Sequence, residues 1–284
     1  MMKASDFRRE ARESLRGHKG KAGGTYLIYL IVSDGISFVV GIIPLLGSII
    51  GGVITAGILY GCVTVLMRIK RNQEVSAAAC LEEGFGNCIK ILCCNFWISI
   101  ELLLWTILFV IAMLVFTFGI DNNIIVSIIG LVFLVFTLFK LIVKSLRFSL
   151  VNFLVYDNPN LRAKEIVNKS EEMMKVNKNV ERLFTLNLSF VGWYILFYIG
   201  MYVAAYFFAL GSMASLFGGN PLMGIIGIVG YVIVLFASVF FLVPYVQMAN
   251  ICFYEKLVGT NEDDSINNVI DNAINEDNGG IAII

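Results

Sequence analysis

Asp34 and Glu101 are carboxylates set inside long apolar runs where ionisable groups are scarce. A charge at bilayer depth costs about 2.5–3.5 kcal/mol on insertion scales, so such residues usually face a bundle interior or water. Lys140, Lys144 and Arg147 lie late in another apolar run at i, i+4 and i+7, on one helical face. These five residues form a candidate intramembrane polar cluster. Its chemistry would be proton or cation handling, or contact with a substrate. The structural alternative is a carboxylate paired with Lys140 or Lys144, or a protonated acid hydrogen-bonded to a neighbour. The three cations have two open placements: inside the bundle toward Asp34 and Glu101, or at the cytoplasmic surface against lipid phosphates.

Other chemistry has little to build on. There is no Gly-rich phosphate loop, no H-E-x-x-H and no G-x-S-x-G. His18 is the only histidine, which leaves a Ser-His-Asp or Cys-His site without its base. Cys88-x4-Cys93-Cys94 does not match zinc spacing. With Cys62, Cys80 and Cys252, these cysteines are expected as free thiols on a reducing face. The expectation is no enzyme, no metal and no cofactor. Lys and Arg number 21 and so do Asp and Glu, so no basic excess suggests nucleic acid.

The elements that carry these residues follow from composition. Of 284 residues 58% are hydrophobic and only 15% charged, with a mean hydropathy of +0.82. A soluble domain is about a quarter charged, and this much apolar surface in water would aggregate. A bilayer removes the problem, and a span needs about 20 apolar residues. Six runs qualify: Thr25–Ile43, Leu45–Met67, Ile91–Phe118, Ile124–Val143 or longer, Leu183–Leu210, and Leu222–Leu242 or longer. They are continuous rather than alternating, which argues against a barrel. Pro44, Asp121-Asn122-Asn123 and Gly218-Gly219-Asn220-Pro221 supply turns between them. The expected fold is all-α: a polytopic membrane helical bundle of six transmembrane helices in three hairpins.

Charge placement orients the hairpins. Lys and Arg gather before the first span, between the second and third, and after the fourth, while the three tips carry none. Under the positive-inside rule both termini and both long loops are cytoplasmic, and the protein is multi-pass in the cell membrane. The first span is expected to stay as a signal anchor.

The cytoplasmic segments have patterns of their own. Ala4, Phe7, Ala11 and Leu15 form an apolar stripe between arginines, and Ile166, Ser170, Met173 and Asn177 share a face within 160–177. Asn158-Pro159 supplies a cap and first turn for the latter. Two readings stand for both: a helix lying along anionic lipid headgroups, or a solvated connector. A weak threefold repeat of surface helix plus hairpin joins residues 11–19, 82–87 and 170–178. Gly57-x3-Gly61 permits close helix approach, Pro244 marks a kink, and Asn152, Gln247 and Asn250 are polar groups in need of partners. Residues 259–284 are acidic and Asn-rich, which predicts a disordered cytoplasmic tail.

The chain contains Ala11-Arg12-Glu13-Ser14-Leu15, Gly84-Phe85, Asp157-Asn158-Pro159, the run from Leu183 to Trp193, Val243-Pro244-Tyr245 and Phe253-Tyr254. In these stretches it resembles the bacterial integral-membrane family known as domain of unknown function 975. The resemblance implies a multi-span membrane protein of Gram-positive bacteria and carries no catalytic residues. Function is then expected to be non-enzymatic, through lipid or protein contacts. The partners in view are the bilayer and anionic headgroups at the cytoplasmic face, with protein partners unknown. The alternative is a small-solute or ion transporter using the intramembrane charges.

Overall fold

The computed structural model describes residues 3–40, 46–216 and 222–259. The turns at Pro44 and at 218–221, the end of the run Thr25–Ile43, and nearly all of the acidic tail lie outside them. Among the described residues every regular element is helical. The chain runs α1 (Ala4–Ser14), α2 (Lys19–Val40), α3 (Leu46–Lys70), α4 (Ala79–Asn122), α5 (Ile124–Arg147), α6 (Val151–Asp157), α7 (Ala163–Lys175), α8 (Asn179–Leu188), α9 (Val191–Leu216) and α10 (Leu222–Ala237). A π-turn, Ser238–Leu242, leads into α11 at residues 243–259. Five stretches are long and apolar enough to cross a membrane: Ile50–Lys70, Ala79–Ile120, Ile124–Asp157, Asn179–Leu216 and Leu222–Gly259.

Local chemistry explains the boundaries. The Asp6 side chain accepts from the Lys3 backbone N–H at 2.9 Å and starts α1. Gly17, at φ +88°, turns the chain from α1 into α2. Arg68 and Lys70 sit at the negative end of the α3 dipole, and Asn72 ends it in the left-handed region at φ 56°. Asn123 caps α5 by accepting from the Ile125 N–H at 2.9 Å, so the predicted turn there is real and very tight. The kink expected at Pro244 takes the form of the π-turn just before it. Proline lacks an N–H and its ring crowds the preceding turn, and the wider turn accommodates both.

Three expectations need correction. The helix after Asn158-Pro159 starts at Ala163, capped by Glu165 accepting from the Arg162 N–H at 2.9 Å. Asn158 instead accepts from the Lys169 ammonium at 3.1 Å. The run Leu183–Leu210 is divided between α8 and α9, which carries the long apolar helix on to Leu216. The segment 82–87 is no separate surface helix, because α4 continues for 44 residues, about 66 Å at ~1.5 Å per residue.

The core sits at the end of the bundle that carries most of the cations. There α1, the lower parts of α2 and α3, the start of α4, and α6, α7, α8 and α11 close into one cluster around Tyr26, Leu66, Met67, Leu154, Ile166 and Tyr254. We call this the hub. Beyond it α4–α5 and α9–α10 run out as antiparallel pairs whose side chains point away from protein: Leu104, Leu114, Val132, Tyr202 and Ile233 are all exposed. That outer surface is apolar, as lipid requires.

The hub also corrects the reading of the two amphipathic segments. The stripe of α1 is buried in protein: Ala11 is 0% exposed, Leu15 is buried, and Phe7 meets Phe253 edge-on at 5.6 Å. Likewise Ile166 and Ser170 of α7 are buried and Met173 is half-buried against the core, with Met174 buried beside them and the Ser170 hydroxyl donating to the Arg147 carbonyl at 2.7 Å, while the side chain of Asn177 lies outside the described residues. Neither stripe is free to lie on lipid, and neither helix is a solvated connector. Arg9 and Arg12 of α1, by contrast, are exposed.

Candidate functional site

The five charged residues singled out in the sequence go to four different places. Glu101 of α4 and Lys144 of α5 meet as an ion pair at 2.7 Å. Arg147, one turn further along α5, leaves that face and reaches Glu171 of α7 at 3.3 Å. Lys140 lies 5.5 Å over the ring of Phe136 on its own helix. Asp34 is exposed on α2 and makes no ion pair or hydrogen bond among the described residues. Lys144 thus pairs with Glu101 at a partly exposed position, Arg147 pairs with Glu171, and Asp34 joins neither.

At Glu171, burial pushes the carboxyl up, but Lys175 at 3.1 Å and Arg147 outweigh it and hold the group below its usual range. This pairing fixes α7 to the end of α5. Lys164 of α7 adds a contact 4.7 Å over the Trp97 ring of α4. Two separate spans are therefore clamped by one short helix.

The densest polar node centres on Arg71, just past the end of α3. Its guanidinium donates to both oxygens of Asp157, at 2.7 and 3.0 Å, and to Glu255 at 2.8 Å. It also lies 5.5 Å over the Tyr156 ring, and the Tyr254 hydroxyl donates to Asp157 at 2.7 Å. The hydrogen bonds to Asp157, against the cost of partial burial, raise the Arg71 guanidinium further above its already high range. A planar guanidinium matches a carboxylate with two parallel bonds, which Lys could not do. Around it Lys70 pairs with Glu10, and Arg68 with Glu83. The node ties α1, α3, α4, α6 and α11 together at one level.

Close beside the core lies a cavity of about 190 Å³. Ser149, Asn152, Asn187, Gln247 and Asn250 line it, with apolar walls from Val63, Phe153 and Leu183. The Oδ1 of Asn250 is buried with no hydrogen-bond partner among the described residues. The described residues hold no group of three or more His, Cys, Asp or Glu placed to bind a metal ion.

A family model described as "Protein of unknown function (DUF975)" matches residues 1–261. The chain belongs to the DUF975 family. No curated protein and no solved structure matches it.

The stretches that carry the family resemblance come together in the hub. Asp157 and Tyr254 meet at Arg71, and Tyr245 packs edge-on against Phe190 at 5.3 Å while its hydroxyl donates to the Arg8 carbonyl at 3.3 Å. Gly84 faces Gly57 across the α3–α4 crossing so closely that a side chain on either would strike the other's backbone. In this DUF975 member the motifs therefore describe a packing centre. Sequence reasoning missed Arg71, which reads as one more loop cation. It also missed Ser149 and Asn187, although Gln247 and Asn250, three apart in an apolar helix, pointed toward the same cavity.

Proposed function

We propose that this DUF975 member is a six-span protein of the cell membrane with both termini cytoplasmic. Its hairpins hold the hub against the anionic inner leaflet, where it works through lipid and protein contacts rather than catalysis. The observation that supports this is the division of labour in α1 and the start of α2. Their apolar faces are spent on the protein core, while Lys3, Arg9, Arg12, Arg16, Lys19 and Lys21 stay exposed. Between residues 3 and 21 there are seven Lys and Arg against three Asp and Glu. Each Lys or Arg near an anionic surface adds roughly 1 kcal/mol of attraction. In this reading α2, 22 residues long, is the first of the six spans, and the three hairpins share the hub.

The test replaces Arg9, Arg12, Arg16 and Lys19 with Gln together and compares thermal unfolding in nanodiscs of phosphatidylglycerol and of phosphatidylcholine. The wild type is expected to be more stable in the anionic disc, with the gap closing in added salt and in the variant. Equal stability of the wild type in both discs overturns the lipid reading. An extracellular location for either terminus, or for the stretch around Lys169, by thiol labelling overturns the topology.

Transport is a second reading, favoured by one observation: Asp34 sits exposed on an apolar helix without an ion pair among the described residues. A lone carboxylate at that depth is costly unless it serves a solute or proton. Asp34→Asn together with Glu101→Gln is then expected to abolish a coupled flux. An unchanged flux ends that reading.

A further inference from the structure

We infer that the cavity between α6, α8 and α11 is a binding site for a small uncharged solute that both donates and accepts hydrogen bonds. A primary amide or a polyol has this chemistry. Three properties of the wall lead there.

The first is its composition. Four carboxamides, on Asn152, Asn187, Gln247 and Asn250, converge with the Ser149 hydroxyl on one space. Each carboxamide offers two N–H donors and a carbonyl acceptor, while the Ser149 hydroxyl, which donates to the Leu146 carbonyl at 2.8 Å, offers its oxygen as an acceptor. A guest with only donors or only acceptors would leave half of these groups unanswered. The second is the absence of an ionisable residue from the lining. The nearest in sequence are Arg182, which donates to the Asn179 Oδ1 at 3.5 Å, and Arg147, which pairs with Glu171. A charged guest would enter without a counter-charge, which is the costly case. The third is the Asn250 Oδ1, buried and lacking a hydrogen-bond partner among the described residues. A buried acceptor in that state carries a desolvation penalty that a guest N–H or O–H removes.

Size and access agree. At about 190 Å³ the space exceeds the ~150 Å³ cavity that holds benzene, so a guest of about six to eight non-hydrogen atoms fits. Val63, Phe153 and Leu183 provide surface for its carbon skeleton. Ser149 is the one exposed residue of the lining and marks the mouth, at the hub end of the bundle. The site uses none of the charged residues discussed above, so it stands whether or not the hub binds anionic lipid.

The experiment is ligand-observed saturation-transfer NMR on the full chain in detergent, with propionamide, glycerol and propionate as probes. Saturable transfer to propionamide, to glycerol or to both is expected, and which of them binds names the class. Propionate is expected to show none. Asn250→Leu, which fills the space and removes the acceptor, is expected to weaken binding about tenfold or more. Its thermal midpoint should stay near that of the wild type. If that variant does not fold, Asn187→Leu on the opposite wall gives the same reading. No saturable transfer to either neutral probe means that the cavity holds only water, and the inference fails. Equal binding of propionate, or unchanged binding in the folded Leu variants, overturns it as well.

Discussion

α3 and α5 are close in length, 25 and 24 residues, and both are mostly apolar. Yet 61% of the apolar window in Ile50–Lys70 is buried in protein, against 11% in Ile124–Asp157. Hydropathy therefore identifies a span without naming its neighbour. Side-chain size comes closer. α3 carries Gly57, Gly61, Cys62 and Thr64 where α2 and α4 press on it, and a Cβ on Gly61 would overlap the Cys80 carbonyl. α5 presents Ile128, Ile129, Val132, Phe136 and Phe139 to the outside. Backbones approach each other over small residues, whereas lipid tails accept bulk without penalty.

That contrast can be broken by mutation. Gly61→Leu is expected to be the most damaging change, at more than about 3 kcal/mol, because the new side chain must separate α3 from α4. It should appear as loss of folded protein or a large fall in thermal midpoint. Arg71→Met comes next, at about 1–2 kcal/mol, the half-exposed setting keeping it below a fully buried pair. A double-mutant cycle with Asp157→Asn is expected to show strong coupling between the two positions.

Acid should act more gently. Glu171 has its folded pKa lowered, so its pairing contributes stability above the unfolded value of about 4.3. That contribution is lost as pH falls through the lower folded value. A pH titration of the thermal midpoint should therefore slope downward in this acidic range, and Glu171→Gln should flatten the slope. Ile129→Ala, on the outer face of α5, completes the series at within about 0.5 kcal/mol. A large effect there would mean that α5 faces protein, and the contrast with α3 would be lost.

Much of the architecture was legible because it follows from one-dimensional properties. The apolar runs mark the long helices, Asp121-Asn122-Asn123 marks a turn, and Gly57 and Gly61 mark a close crossing. What was hidden depends on how helices are rotated and staggered against one another. Lys144 and Arg147 share a face in the sequence, but one finds Glu101 and the other Glu171, since α7 packs across the end of α5. The stripe of α1 carries the same spacing whether its partner is lipid or protein, and Phe253, more than two hundred positions away, decides the matter. The start of α7 was misplaced because Asn158 and Pro159 can cap a helix, while Arg162 and Glu165 do so here. Asn187 gave little warning, being one polar residue between leucines.

An early helix is held by a late one. α1 rests on α11 through Phe7 and Phe253 and through the Tyr245 hydroxyl on the Arg8 carbonyl. α1 is made more than two hundred residues before α11, so Phe7 lacks its partner Phe253 until residues 243–259 arrive. Closure of the hub thus reports that α11 has been made. A chain cut short before residue 243 would display an uncovered apolar stripe, the kind of surface that quality-control proteases and chaperones recognise.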